Sequence, residues 1–220
     1  MLQPAAAIHS SPMTPAPSDE HRLITDTDDG LLLVISGPSG VGKTTITRGV
    51  ERSIPGSAFS VSCTTRAKTP ADVEGVDYHF VSDDEFERMK AAGEFIETAG
   101  VYGKKYGTPK AWVFEQLKRG RLVILEIDVQ GAIQVKRHVP GAFSIFIVPP
   151  TEEELLRRLR DRKRENDDQI QKRFAQAKAE MESARASGVY NLFLVNDTVD
   201  DSIRRAVDMV TAERARRRSR

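Results

Sequence analysis

The apolar run LLLVIS, residues 31–36, leads straight into GPSGVGKTT, residues 37–45. No other stretch limits the fold so strongly. A continuous apolar run suits a strand buried on both faces. The glycines after it let successive backbone N–H groups turn inward on one point. A helix then begins at about Thr44, and its N-terminus adds partial positive charge. Gly37, Gly42, Lys43 and Thr44 match the spacing G-x-x-x-x-G-K-T of a phosphate loop, with the preceding strand and succeeding helix that the pattern requires. The candidate contacts to a nucleoside triphosphate are Gly37, Pro38, Ser39, Gly40, Val41, Gly42, Lys43, Thr44 and Thr45. Lys43 is placed to reach the outer phosphates, and the Thr44 hydroxyl to ligate Mg²⁺.

Further apolar runs repeat the theme. RLVILEID (121–128), FSIFIV (143–148) and NLFLVND (191–197) read as buried strands with helical patterns between them. That alternation predicts an α/β fold with a parallel sheet flanked by helices. The 220-residue length suits one domain with insertions. Residues 57–82 change texture, with Thr, Val, Tyr and Phe among turn residues, and read as several short strands. SDDE comes next, with Ser82 as helix cap and Glu85 three residues on; PTEEE repeats the device with Thr151 and Glu154. The next helix sets Ile170, Phe174, Ala177, Met181 and Ala184 on one face. The arginine-dense segment between these two helices reads as a mobile flap.

With 33 basic and 32 acidic residues, the chain has no general pull toward nucleic acid or a membrane surface. Its single cysteine, Cys63, excludes an intrachain disulfide and suits a reducing, cytoplasmic setting. No apolar run approaches a membrane span of about 20 residues. Residues 1–30, rich in Pro, Ala and Ser, read as a disordered tail that is neither a secretory signal nor a transit peptide. ERARRRSR at the other end carries five arginines. It suits a solvated helix end whose cations complement the dipole, or a tail for anionic surfaces; residues 216–220 are set apart as that basic tail.

Between the first helix and residue 121 lie the parts of a second anion site: Ser62, Thr64, Thr65 and Arg66 at a strand end, then Tyr78, Glu97, Tyr106 and Thr108. Arg66, Tyr78 and Tyr106 suit a phosphate beside the Glu97 carboxylate. Taken singly, Tyr78 reads as a half-buried sheet residue and Glu97 as a solvated helix end.

Taken together, ISGPSGVGKTT, SVSCTTR, EGVDYHFVSDDEFERM, GEFIE, YGTPK, LEIDVQGA, IFIVPP and VNDT, in this order across residues 33–198, resemble the guanylate kinases of the nucleoside-monophosphate kinase superfamily. The resemblance implies transfer of a phosphoryl group from MgATP to GMP, giving ADP and GDP. It implies a kinase body over residues 31–215, with an inserted GMP-binding lobe near 61–110 and a helical lid near 151–182. It assigns Arg66, Tyr78 and Tyr106 to the GMP phosphate, and Ser62, Glu97 and Thr108 to guanine. Glu126 would line the GMP side, Asp128 would hold Mg²⁺ through water, and Arg158, Arg162 and Arg173 would join Lys43 in neutralising the transferred phosphoryl group. The chemistry agrees for Glu97: guanine offers two adjacent donors, N1–H and N2–H₂, that a carboxylate accepts, whereas adenine presents a lone pair at N1.

One departure stands out. The family pattern TTRxPRPGE reads TTRAKTPAD here, so Thr69 occupies the place of a second phosphate-binding arginine. Lys68, next to it, is the candidate replacement. Lys163 likewise stands where the family often has glycine. The partners expected are ATP and GMP, with no nucleic acid and no membrane; monomer and homo-oligomer are both open. Two other readings share the fold: a peptide-binding module without catalysis, which would not need the intact phosphate loop, and a kinase of a ribose phosphate, which would not need Glu97 and its companions.

Overall fold

The computed structural model describes residues 30–101, 103–161 and 166–219. The proposed N-terminal tail, apart from Gly30, therefore lies outside the described residues, as do Arg162 and Lys163 in the flap.

The core is a five-stranded parallel sheet. β1 (Leu31–Ser36) lies at its centre, between β7 (Leu122–Glu126) and β8 (Phe143–Val148). β2 (Ala58–Phe59) and β9 (Leu192–Val195) form the edges, in the order β2-β7-β1-β8-β9. Strand side chains alternate in direction, and those of β1 divide between two helical layers. Leu31, Leu33 and Ile35 pack with Ile46 and Val50 of α1 (Lys43–Ser53) and Ala206 and Val210 of α7 (Val199–Arg218). Leu32 and Val34 pack with Val113 and Leu117 of α3 (Lys110–Lys118) and Ala132 and Val135 of α4 (Val129–His138). Both faces are therefore covered, and all six residues of β1 are buried. At roughly 1.5–3 kcal/mol per fully buried aliphatic side chain, the strand before the phosphate loop is firmly anchored.

A second, four-stranded sheet stands apart: β3 (Cys63–Thr64), β4 (His79–Phe80), β5 (Phe95–Val101) and β6 (Lys104–Pro109), in the order β4-β3-β6-β5. With α2 (Asp83–Ala91) it occupies the expected lobe. Its own apolar cluster is small: Cys63, Phe86 and Phe95, with Val81 and Met89 against it. β2, at the start of the 57–82 stretch, pairs with β7 of the core sheet and lies ahead of the expected lobe.

α5 (Glu152–Asp161) and α6 (Asp167–Ser187) pack on β8 through Leu155, Leu159, Ile170, Ala177, Met181 and Ala184 against Phe146 and Val148. α6 is continuous, so the expected lid boundary at 182 falls inside a helix. The caps at Ser82 and Thr151 form, each hydroxyl accepting from the backbone N–H three residues on. The reciprocal glutamate bonds do not, because Glu85 pairs with Arg88 and Glu154 with Arg157 and Arg158. The full capping box lies at Asn166 and Gln169. At the C-terminus α7 runs to Arg218, with Arg217 donating to Gly141 O and Arg214 to Gly120 O. Residues 216–218, set apart in the sequence as a tail, are thus the helix end.

Candidate active site

The phosphate loop leaves the carboxyl end of β1, where open parallel sheets place their ligands. Gly42 closes it at φ 94°, a left-handed conformation, and a Cβ there would lie 2.8 Å from Asn196 Nδ2. Only glycine fits on both counts. Lys43 Nζ donates to Gly37 O (2.6 Å) and Pro38 O (3.1 Å), so the ammonium is turned onto the loop. Thr44 Oγ1 donates to Glu126 Oε1 at 2.8 Å. Of the two carboxylates at the end of β7, it is thus Glu126, rather than Asp128, that meets the metal-ligand candidate. Thr45 is exposed.

Asn196 is a site residue that sequence reasoning missed. It is 2 % exposed. Its Nδ2 donates to Val41 O (2.7 Å), and its Oδ1 accepts from Ser202 Oγ (3.0 Å), so it pins the loop from behind. The available signal was two polar residues, Asn-Asp, directly after an apolar strand. Asn196→Ala would strip partners from two groups, one of them a loop carbonyl. The expected result is a Tm lower by roughly 4–10 °C, read by thermal denaturation; a change within the error of the melt would show that the pin carries no stability.

Arg173 donates to the Ser39 hydroxyl and so brings α6 onto the loop. Arg158 is engaged elsewhere. Its Nε pairs with Glu154, one helical turn back, and its Nη2 donates to the backbone oxygens of Asn196 (3.0 Å) and Asp197 (3.4 Å). The i,i+4 spacing to Glu154 aims it at the loop after β9.

The second group of residues assembles on the small sheet. Glu97 of β5 and Thr108 of β6 are direct cross-strand partners. The Thr108 hydroxyl donates to Glu97 Oε1 at 2.6 Å, with Glu97 4 % exposed. A register irregularity between Phe95 and Glu97 marks a bulge, a device that re-aims a side chain next to a site. Burial pushes the Glu97 carboxyl up to about 7, with Asp128 adding to the rise and the Thr108 bonds opposing it. Glu97 is therefore a wall residue of the interior, not a solvated helix end. Gly131, also missed, sits in the first turn of α4, where a Cβ would meet Glu97 Oε2 at 2.8 Å. Asp128 caps that helix, its Oδ1 accepting from Gly131 N at 2.7 Å. Tyr78 and Tyr106 meet edge to face with centroids 5.7 Å apart, and the Arg66 guanidinium lies 5.2 Å from the Tyr78 ring centroid.

One cleft of about 770 Å³ joins the two groups. Its walls include Ser39 and Lys43 from the phosphate loop, Ser62, Tyr78, Glu97 and Tyr106 from the lobe, Glu126 from β7 and Asp128 from the cap of α4. From α6 come Arg173 and two residues the sequence did not flag, Gln176 and Glu180. Glu180 Oε1 accepts from Gln176 Nε2 at 2.9 Å, and burial raises its carboxyl against the pull of Lys43. Arg66, Lys68, Thr108 and Arg158 are not in the cleft wall; Lys68 is exposed. Among the described residues no cluster of three or more His, Cys, Asp or Glu side chains could hold a metal ion alone.

Comparison with known proteins shows which family the whole chain is similar to. The family model described as guanylate kinase matches residues 30–213. The guanylate kinase of Symbiobacterium thermophilum is 45 % identical over 187 residues, spanning 85 % of this chain and 87 % of that one. That of Anaeromyxobacter dehalogenans is 44 % identical over 192 residues, spanning 87 % and 84 %. The crystal structure of guanylate kinase from Anaplasma phagocytophilum superposes with a TM-score of 0.69 at 34 % identity, covering 85 % of this chain and 87 % of that one.

Proposed function

The chain belongs to the guanylate kinase family, and on that premise we propose that its cleft transfers a phosphoryl group from MgATP to GMP, giving ADP and GDP. One observation carries the reading: the phosphate loop and the buried Glu97 carboxylate, which accepts from the Thr108 hydroxyl behind it, face one cleft. The loop N–H groups and Lys43 take the ATP phosphates. Ser62, Glu97 and Thr108 read guanine, and Arg66, Tyr78 and Tyr106 take the GMP phosphate, with Lys68 the exposed cation available beside them. That phosphate is already anionic, so it attacks without a strong general base. Positioning and charge neutralisation do the rest. Arg173, held at Ser39, supplies lid charge, and the same role is proposed for Arg162; Arg158 acts by bracing the loop after β9.

The hydroxyl of Thr44 and the carboxylates of Glu126 and Asp128 form a hard oxygen donor set that fits Mg²⁺. These residues would hold the ion together with nucleotide phosphates, and it supplies charge neutralisation to the transferred group. The family assignment leads us to propose a cytoplasmic setting; separately, no helix of the described residues is long and apolar enough to cross a membrane.

A coupled ADP-release assay across GMP, dGMP, AMP, CMP, UMP and ribose phosphates tests the reading. GMP-dependent ADP release well above that with AMP is the expected result. Equal rates with all acceptors, or no release with GMP, would overturn it. A peptide-binding module has no use for the intact loop, and the buried Glu97–Thr108 pair has no partner on a ribose phosphate.

A further inference from the structure

The loop after β3 contains a closed set of hydrogen bonds around one carboxylate. Asp72 Oδ2 and Oδ1 accept from Arg66 Nη1 (2.9 Å) and Nη2 (2.8 Å). Asp72 Oδ2 also accepts from the backbone N–H and the hydroxyl of Thr69, both at 2.6 Å. Arg66 Nη1 makes one more bond, to Ala67 O at 3.1 Å. Thr69 is the residue that stands in place of the family's second arginine, so the departure from the pattern has a structural use.

A guanidinium has five N–H donors in two usable forks. Asp72 takes the end fork, formed by Nη1 and Nη2, and Ala67 takes the remaining Nη1 hydrogen. Nε–H and the second Nη2 hydrogen are left. Together they form the lateral fork, and among the described residues they have no acceptor. The rings of Tyr78 and Phe80 lie 5.2 and 5.4 Å from the guanidinium carbon and limit its swing. A lateral fork held this way matches two oxygens of a phosphate.

We propose that Asp72, locked by Thr69, is a positioning residue for the acceptor phosphate: it grips Arg66 by the end fork and so presets the lateral fork for the phosphate of a nucleoside monophosphate. The inference rests on the reading of the lobe as the GMP site. It assigns Thr69 a role opposite in kind to the arginine it replaces. The threonine touches no phosphate; it fixes the carboxylate that fixes the arginine that does.

The test is a double-mutant cycle in the full chain, read by GMP titration calorimetry and by steady-state kinetics. Asp72→Asn keeps the shape but turns an amide N–H₂ toward a guanidinium donor. It is expected to raise Kd and KM for GMP about threefold to tenfold, the scale of freeing one long side chain at a binding site. KM for ATP stays unchanged. Thr69→Val moves GMP binding in the same direction by less, and Thr69→Ser restores it. In an Arg66→Ala background, Asp72→Asn has no further effect, because Asp72 acts only through Arg66. Equal or tighter GMP binding by Asp72→Asn, or the same loss with Arg66 absent, would overturn the proposal. Wild-type protein that fails to use GMP would instead overturn the functional reading itself.

Discussion

Lys43→Ala is expected to lower kcat by about 10³-fold while the fold stays intact, the scale of removing a preorganised charge that acts on the transferring group. The side chain belongs to neither of the clusters that hold the central sheet, and its Nζ bonds to carbonyls at the head of the loop. Its removal therefore takes away catalytic charge and little packing. Lys43→Arg is no rescue, because a planar fork cannot occupy the place of a compact ammonium within a tight glycine loop. The check is a coupled assay at saturating ATP and GMP, beside circular dichroism and a melt of the same preparation. Near-normal turnover in a folded variant would mean that the loop does not carry the chemistry.

The second large effect is at Glu97, the proposed base reader. Glu97→Gln is expected to reduce kcat/KM for GMP by about 10²-fold, since a hydrogen bond to a charged partner is worth roughly 1.5–3 kcal/mol and an amide offers a donor where guanine also offers one. The preference for GMP over AMP narrows with it. The acidity of Glu97 adds a pH signature. Burial holds its carboxyl near 7, while guanine binds the ionised form. KM for GMP in the wild type should therefore fall as pH rises from about 6 to about 8, and this component should vanish in Glu97→Gln. Stability runs the other way. Between the ordinary value of 4.5 and about 7 the folded protein keeps a proton that the unfolded chain has lost. Stability then declines as pH rises through that window, and the loss is complete above it. Glu97→Gln removes this burden, on the order of 3 kcal/mol, so the variant should melt several degrees higher than the wild type at about pH 8. The gain should shrink toward about pH 5. A variant with unchanged GMP kinetics and an unchanged melt would show that Glu97 neither reads the base nor bears a buried charge.

The core sheet was legible because parallel strands covered on both faces read as unbroken apolar runs; LLLVIS and FSIFIV are buried at every position. The lobe was legible only as a texture. Strands of two residues, such as β3 and β4, are fixed by their partners and leave no period in the sequence. The site divides in the same way. Positions set by backbone geometry, Gly42 and Lys43 among them, follow from spacing alone. Positions set by the reach of a long side chain do not: Arg158 lies on the helix that was expected, yet Glu154 one turn away aims it at the loop after β9. Gln176 and Glu180 were invisible for a third reason. Each is an ordinary polar residue whose meaning comes from what the fold sets opposite it.

The pairing of β5 with β6 has a consequence for how such an enzyme can change. Glu97 faces Thr108 because the ladder runs back from Val101 and Lys104 in step. Slide β6 by one residue and Glu97 would face Gly107 or Pro109, neither of which has a hydroxyl, while Thr108 would turn to the other side of the sheet. A buried carboxylate would then have lost its donor. A new acceptor base is within reach of point substitution, one side chain at a time. Inserting or deleting a single residue within the hairpin's strands is not a small step of the same kind: it erases the reader as a whole. On the proposed reading, the preference for guanine is stored here as a count along two strands as much as in the chemistry of one carboxylate.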